Sequence, residues 1–361
     1  MTQAQTVDRL IAQALASDLP AGQILQRHFK NNAQIGSKDR LRIADAFWQS
    51  LRSQALPKWL SELIAQAIGT EELALFAAAI AEPASLDVRV NLANGKPEKA
   101  LERLRAEGIE AVQSEILEEA LRVQGKPNIE RSQAFQSGLI EAQDLGSQLL
   151  ARLASVRRSQ TIVDFCAGAG GKTLALASAL RGSGRVYAID VSSARLAKLK
   201  PRLERSRLGN VWPLAISTMQ DARLERIRAK ADIVFVDAPC SGTGTLRRSP
   251  DLKWRLSPDK LSGFVSLQNE ILTAASRLVR PGGRLVYGTC SVLSLENDQV
   301  IDRFLLERPE FCRVSCESVL LGQGVSLPAS WRAFSANHDL SLWPHRTATD
   351  GFYGAVLALG G

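Results

Sequence analysis

The spacing of apolar residues divides the chain into three parts. In residues 1–82 apolar side chains recur every three or four positions, as at Ile43 and Phe47, and this period predicts a helical domain. In residues 86–90 apolar and polar side chains alternate, which is typical of a half-buried strand. With a helical stretch and further short strands after it, this pattern predicts a small α+β domain over residues 83–144.

Beyond residue 145 short, continuous apolar runs alternate with helical stretches. Such runs are typical of strands that are buried on both faces of a parallel sheet, so residues 145–361 are predicted to form a doubly wound α/β domain. The predicted strands are Thr161–Phe165, Val186–Ile189, Ile233–Val236 and Leu285–Tyr287, and the predicted helices are Thr173–Leu180, Ala194–Glu204 and Leu267–Leu278.

The formal net charge of +8 is distributed unevenly. Residues 1–150 carry a net charge of −3, whereas residues 151–361 carry +11, and within 151–250 there are 18 basic against 7 acidic residues. A basic surface in the segment that holds the candidate site predicts a polyanionic partner such as RNA. The alternative is that the charge serves only solubility.

Other features of the sequence indicate the cellular location of the protein and whether it binds a membrane or a metal. The N-terminus lacks the basic start and apolar run of a signal peptide, and no stretch approaches the ~18 apolar residues that span a bilayer. The five cysteines follow no disulfide spacing, and three histidines offer few further metal ligands. We therefore expect a cytoplasmic protein without membrane or metal, and since nothing requires a second chain we expect a monomer.

A glycine-rich turn follows the first strand of the α/β domain. Its residues are Cys166, Ala167, Gly168, Ala169, Gly170, Gly171 and Lys172. Glycines let a backbone turn sharply and approach a ligand closely. A phosphate-binding loop needs glycine where Cys166 stands, and a dinucleotide fingerprint needs glycine where Thr173 stands. S-adenosylmethionine has neither requirement, so it is the favoured ligand, with the other two left open.

Two acids follow later strands of the same domain. Asp190 ends the second strand, where a carboxylate can accept hydrogen bonds from ribose hydroxyls, although it can also begin the next helix as its N-cap. Asp221 follows a presumed third strand between Val186–Ile189 and Ile233–Val236. An acid there can accept from an adenine amino group, or can simply be an exposed loop residue. Both acids are predicted cofactor contacts.

Two cysteines follow the fourth and fifth strands. Asp237 and Cys240 lie in the sequence Asp-Ala-Pro-Cys after the fourth strand, and Cys290 lies in Thr-Cys-Ser after the fifth. In a parallel sheet both sequences reach the edge at which ligands bind. Two thiols beside a cofactor loop predict a catalytic site, against the alternative of inert, buried cysteines.

These motifs resemble a known family. DFCAGAGGKT, VDAPCSGTGTLRRSPDLKWR, YGTCSVLSLEND and DGFYGAVLAL are similar to the Sun-type (RsmB-like) RNA cytosine methyltransferases, which form 5-methylcytosine. The resemblance covers about residues 84–361. It implies a Rossmann-like class I methyltransferase domain over residues 145–361, an RNA-recognition-motif-like domain before it, and a shortened NusB-like domain at the N-terminus.

The resemblance also implies roles for the site residues. Cys290 is the implied nucleophile, which adds to carbon 6 of cytosine, and Cys240 assists product release. Asp237 stabilises the ring and also contacts the cofactor, and Lys172 helps to hold the base. The implied contacts to S-adenosylmethionine are Cys166–Lys172, Asp190, Asp221 and Asp237. This loop departs from the family's CAAPGGKT, which predicts a more flexible loop and weaker cofactor binding.

The stretch after Cys240 combines basic residues with an aromatic one. Arg247, Arg248, Lys253 and Arg255 are predicted to contact RNA phosphates, with Trp254 either stacked on a base or buried below a solvated loop.

The favoured function is methylation of 16S ribosomal RNA, and tRNA or another RNA is an alternative substrate. Other classes remain open at the level of sequence. They are a nicotinamide oxidoreductase, a DNA cytosine methyltransferase with Cys240 as its nucleophile, and a non-catalytic RNA-binding or assembly factor.

Overall fold

The computed structural model describes residues 2–360 and begins with five helices that form two separate packing units. The first three helices share a core around Phe47, whereas the last two pack against the C-terminal domain, where Phe76 contacts Trp343. The sequence predicted one helical domain here, but the apolar period cannot reveal which partner an apolar face covers. The helices are α1 (Gln3–Leu15), α2 (Ala21–Asn31), α3 (Ser37–Ser53), α4 (Lys58–Ile68) and α5 (Thr70–Ala81).

Within residues 2–360 no single helix has the length and apolar composition of a membrane span. Helices α4 and α5 have this length and composition only when they are taken together as a pair, and the two are bent by 119° relative to each other.

The small α+β domain is a four-stranded antiparallel sheet covered by a helix. Its strand order is β2-β3-β1-β4, and Val88, Leu104 and Leu121 lie in its core. Strand β4 was not predicted, because three residues are too few to show an alternating pattern. The elements are β1 (Leu86–Val90), α6 (Pro97–Ala106), β2 (Ala111–Gln113), β3 (Ala120–Val123), α7 (Gln133–Gln136) and β4 (Ile140–Ala142).

The C-terminal domain is built on a sheet in which parallel strands are flanked by antiparallel ones. The strand order is β10-β12-β9-β8-β5-β6-β7, with β11 paired to β12, and β5 to β9 run parallel. The strands are β5 (Thr161–Asp164), β6 (Arg185–Asp190), β7 (Val211–Ala215), β8 (Ala231–Asp237), β9 (Val279–Thr289), β10 (Phe311–Val314), β11 (Leu340–Leu342) and β12 (Phe352–Leu359).

Helices cover both faces of this sheet. The predicted helix over residues 194–204 is in fact two helices, because Pro201 has no N–H to continue the hydrogen-bond ladder. The helices are α8 (Leu145–Arg152), α9 (Gly171–Ala179), α10 (Ser193–Ala197), α11 (Leu199–Ser206), α12 (Leu252–Arg255), α13 (Pro258–Ser276), α14 (Asp298–Glu307), α15 (Cys316–Leu321) and α16 (Pro344–Thr347).

The order of the strands creates a ligand-binding crevice. The chain moves outward from β5 through β6 to β7 and then returns to β8 on the other side of β5. Ligands bind at such a switch point, outside the carboxyl ends of the strands. The predicted α/β fold is confirmed, and the glycine-rich turn and both cysteine motifs follow β5, β8 and β9.

The small domain is fastened to helix α11 by buried polar contacts. Arg202 and Arg205 both bind Glu141 of β4, and the Asn91 amide donates to the Ser206 carbonyl at 3.0 Å. Gly138 lies directly on the backbone of α11, with φ at +70°. The backbones of the two domains are therefore in direct contact at Gly138, with no room for a side chain between them.

We expect Gly138→Ala to lower the free energy of unfolding by about 3 kcal/mol, because the added Cβ meets the Arg205 carbonyl and the backbone φ is unfavourable for alanine. Gly108→Ala is the matched control, because Gly108 has φ at +71° with open space around it, and we expect about 1 kcal/mol there. Urea unfolding of both variants measures the difference. Equal losses would show that the interface has room for a side chain.

Candidate active site

A cavity of about 510 Å³ lies at the carboxyl ends of β5, β8 and β9. It contains most of the residues that the sequence predicted for the site. The predicted residues that line it are Cys166, Ala167, Gly168, Ala169, Gly171, Lys172, Asp237, Cys240 and Cys290.

The glycine-rich turn is held open by contacts from outside itself. The Gly168 N–H donates to Asp190 at 2.8 Å, and Gly168 has φ at +54° with free space where a side chain would project. Gly170 has φ at +87°, and a side chain there would collide with Leu199. The Arg202 guanidinium donates to the Ala169 carbonyl at 2.7 Å. The turn that was predicted to be flexible is therefore tied to helix α11.

A partly buried pair of opposite charges lies beside the turn. Lys172 Nζ donates to Asp237 Oδ2 at 2.7 Å. Burial acts to lower the pKa of Lys172, but the charge and hydrogen bond of Asp237 outweigh it and raise this pKa above its usual value. Lys172 is thus a fixed cation at the base of the cavity, and Asp237 is fixed by it.

Asp164 is a site residue that the sequence prediction missed. It ends β5, accepts from the Thr173 hydroxyl at 2.6 Å through one oxygen, and has a second oxygen that is buried without a hydrogen-bond partner. Burial raises the pKa of Asp164 to about 7, although the Thr173 hydrogen bond opposes the shift. An acid directly before the turn was the signal that could have identified it.

The two predicted catalytic thiols are in contact. The sulfur atoms of Cys240 and Cys290 lie 3.3 Å apart, and both cysteines are free. The hydrogen bond with Cys290, burial and the charge of Glu296 raise the pKa of Cys240 well above its usual value. The described structure therefore brings both cysteine motifs to one point, with Cys240 in the thiol form.

A buried carboxylate joins the two cysteine loops. Glu296 is fully buried, and its Oε1 accepts from the Ser241 N–H at 2.8 Å and from Gln268 at 3.1 Å. Its Oε2 accepts from the hydroxyls of Ser241 and Ser291. Glu296 lies in the motif that contains Cys290, but sequence reasoning gave it no role, because only the fold brings Ser241 within its reach.

The two predicted cofactor acids differ in their placement. Asp190 is buried, and besides Gly168 it accepts from the Ser192 N–H at 2.7 Å and from Arg195 at 3.0 Å. Asp221 does not line the cavity. It caps a short 3-10 helix through the Arg223 N–H and pairs with the Arg223 guanidinium. The predicted adenine contact by Asp221 stays a prediction, because the carboxylate is paired with an arginine whose side chain is half exposed.

The basic stretch predicted to bind RNA is used inside the protein. Lys253 is buried and donates to the carbonyls of Arg52 and Gln54, each at 2.8 Å. Arg247 is buried against Asp350, and Arg248 binds Asp350, Asp144 and the Ser85 carbonyl. Arg255 binds Asp251 and the Asp18 carbonyl. The prediction of RNA contacts is wrong for Lys253 and Arg247, because both are buried and fasten other parts of the chain to the sheet. For Arg248 and Arg255, which are still partly exposed beside their partners, it stays a prediction.

Trp254 and two of the cysteines lie outside the cavity. Trp254 packs against the core of α1 to α3, as the alternative of a buried tryptophan predicted. Cys316 is buried, whereas Cys312 is exposed. Among residues 2–360 no cluster of three or more histidine, cysteine or acidic side chains forms a metal site.

The sheet order and the loop after β5 define a Rossmann-like methyltransferase fold. A solved structure described as PH0851 superimposes with a TM-score of 0.77 at 30% identity, covering 90% of this chain and 74% of that one. NSun6 from Pyrococcus horikoshii, solved with SFG, has a TM-score of 0.72 at 21% identity and covers 84% of this chain and 98% of that one.

The family is given by the sequence match. Residues 151–358 match the family model described as 16S rRNA methyltransferase RsmB/F, and residues 56–130 match the RsmF/B-like, ferredoxin-like domain. The chain belongs to the RsmB/F methyltransferase family. The ferredoxin-like match begins two residues before α4, upstream of the predicted start of the small domain at residue 83.

Curated relatives are longer than this chain. The probable ribosomal RNA small subunit methyltransferase B of Bacillus subtilis is 31% identical over 297 residues, which cover 82% of this chain and 65% of that protein. The ribosomal RNA small subunit methyltransferase B of Sodalis glossinidius is 34% identical, covering 74% of this chain and 61% of its own length.

We expect Arg202→Met to speed hydrogen exchange at the Gly168 and Gly170 amides about fivefold, because a net hydrogen bond to the Ala169 carbonyl contributes ~1 kcal/mol. Lys200→Met, on the exposed side of α11, is the control and should leave these amides unchanged. Mass-spectrometric exchange on intact protein measures both variants. Equal protection in Arg202→Met and wild type would mean that the turn is rigid without this contact.

Proposed function

We propose that the chain is an S-adenosylmethionine-dependent RNA methyltransferase that forms 5-methylcytosine in 16S ribosomal RNA. The observation that carries the proposal is the 3.3 Å contact between the Cys240 and Cys290 sulfur atoms in one cavity with the glycine-rich turn. A cavity that presents two thiols to a bound base suits chemistry that makes and later breaks a carbon–sulfur bond.

The charges around the cavity favour a cationic cofactor over a phosphate-containing one. Its cations are paired with carboxylates, Lys172 with Asp237, Arg195 with Asp190, and Arg202 with Glu141. A nucleoside triphosphate or dinucleotide needs free donors for its phosphates. This argues against the nicotinamide oxidoreductase alternative.

Individual residues fit S-adenosylmethionine. The buried oxygen of Asp164 that has no partner suits the ammonium of the amino-acid part, and the open space at Gly168 admits the ligand against the backbone. Asp190 suits the ribose hydroxyls, because its partner Arg195 is half exposed and free to move aside. When bound, the cofactor supplies an electrophilic methyl group on a sulfonium.

The mechanism begins at Cys290. Carbon 5 of cytosine is too electron-poor to attack a methyl group unaided. The Cys290 thiolate adds to carbon 6, the carbon 5–carbon 6 double bond breaks, and a proton is taken up at ring nitrogen 3. Carbon 5 would then take the methyl group, the sulfonium sulfur would keep the bonding electron pair as a neutral thioether, and the proton at nitrogen 3 would be released. Loss of the carbon 5 proton restores the double bond and expels the Cys290 sulfur, a step that Cys240 assists.

Asp237 and Lys172 support the addition step. The Asp237 carboxylate suits the exocyclic amine of cytosine and the proton at nitrogen 3, and Lys172 holds this carboxylate at 2.7 Å. Lys172 also places positive charge near Cys290, and the charge of Cys290 in turn contributes to the raised pKa of Lys172. Positive charge beside a cysteine favours its thiolate.

The relatives' names support ribosomal RNA as the substrate. The matching proteins are described as ribosomal RNA small subunit methyltransferase B, and the family model as a 16S rRNA methyltransferase. Transfer RNA is the alternative substrate, and bisulfite sequencing of both RNAs after reaction with the purified protein separates the two.

We expect Cys240→Ala to accumulate a covalent protein–RNA adduct when RNA and S-adenosylmethionine are supplied, because the adduct forms at Cys290 and is released slowly. Cys290→Ala should form no adduct and no 5-methylcytosine. Cys312→Ala, which removes an exposed cysteine, is the control and should behave as wild type. Denaturing gels measure the adduct, and bisulfite sequencing measures the product.

The other outcomes identify the competing hypotheses. An adduct trapped by Cys290→Ala instead of Cys240→Ala would show that the roles of the two cysteines are reversed. If DNA were also the better substrate, the result would indicate a DNA cytosine methyltransferase. RNA binding without adduct or product in wild type would indicate a non-catalytic factor.

A further inference from the structure

Glu296 is attached mainly to the loop of Cys240. Ser241, the residue after Cys240, donates to Glu296 through both its N–H and its hydroxyl. Gln268 donates both to Glu296 and, at 2.9 Å, to the Pro239 carbonyl before Cys240. The Cys290 loop contributes one contact, the Ser291 hydroxyl. Because Glu296 belongs to the Cys290 loop by sequence, its carboxylate ties that loop to the Cys240 loop.

The surroundings of Glu296 suit an ionised carboxylate. The groups bonded to its two oxygens are an N–H, an amide NH₂ and two hydroxyls, all of which donate. A fixed negative charge disfavours ionisation of a thiol beside it. The charge of Glu296 is among the causes that raise the pKa of Cys240, after the Cys290 hydrogen bond and burial. On the other side of the sulfur pair, Lys172 supplies positive charge near Cys290.

We propose that Glu296 is a positioning residue that makes the two adjacent thiols unequal: it fastens both cysteine loops in contact and sets its negative charge against the Cys240 loop, where Ser241 supplies two of the four groups that donate to it. Without such a device, two thiols in contact would compete for the same proton and either one would add to a base. The roles of nucleophile and release group rest on the proposed function, whereas the inequality of the thiols is a property of the free protein.

The test measures the alkylation of each cysteine by iodoacetamide as pH rises, read by peptide mass spectrometry on the full chain without RNA or cofactor. We expect Glu296→Gln to lower the apparent pKa of Cys240, and each unit of this change raises its labelling about tenfold at a fixed pH below the pKa. The Cys290 profile should change less. Glu270→Gln removes an exposed carboxylate from α13, away from the loops, and should label as wild type.

An unchanged Cys240 profile in folded Glu296→Gln protein would overturn the proposal. If Glu296→Gln does not fold, the double variant Ser241→Ala/Ser291→Ala removes two hydroxyl donors and keeps the charge. Cys240 in that variant should label as slowly as in wild type or more slowly, and faster labelling would overturn the proposal. Because alkylation needs no methyl transfer, its result can be interpreted even if the RNA adduct experiment fails.

Discussion

The carboxyl ends of three parallel strands lie side by side, and the rest of the site depends on this constraint. Strand β8 pairs with β5 on one side and with β9 on the other, so the segments that follow all three must share one edge. Backbone contacts then bring the two cysteine loops together, since the Gly244 N–H donates to the Cys290 carbonyl at 2.9 Å and Gly244 lies directly on Gly351. A side chain at Gly244 would collide with the Gly351 carbonyl, so the sulfur contact requires glycine there.

Several basic residues of the chain act within the protein. Arg152 pairs with Glu119 of the small domain, Arg205 with Glu141, and Arg248 with Asp144 and Asp350. Buried pairs of this kind add little net stability, but a single unpaired member is costly, so they fix how the domains meet. The stretch after Cys240 therefore connects the N-terminal helices to the sheet, and charge counts along the sequence do not show which cations are exposed.

The glycine-rich turn shows how a departure from the family motif is compensated by the fold. Ala169 stands where the related motif has proline, and the sequence predicted a looser turn. In the structure Arg202 binds the Ala169 carbonyl with one nitrogen and Glu141 with another. The position of the turn is thereby coupled to the small domain, because one side chain contacts both.

The sequence by itself determined the α/β architecture, the turn after β5 and the pairing of both cysteines, because buried parallel strands leave continuous apolar runs and their carboxyl ends must meet. It also indicated β1 through strict alternation. It did not predict β4, which is too short to show a period, or the pairing of β10 to β12, because antiparallel partners are chosen by the fold.

Only the tertiary structure decided which charges were free. Asp221 and Lys253 have the residue types and positions of ligand contacts, yet one is held by a neighbouring arginine and the other by backbone carbonyls of a distant helix. Glu296 has no distinguishing pattern, and Asp164 has only its place directly before the turn. Both acquire roles because the fold buries Asp164 beside Thr173 and Glu296 between two serines. Hydrogen-bond partners far apart in sequence are set by packing, and no local pattern encodes them.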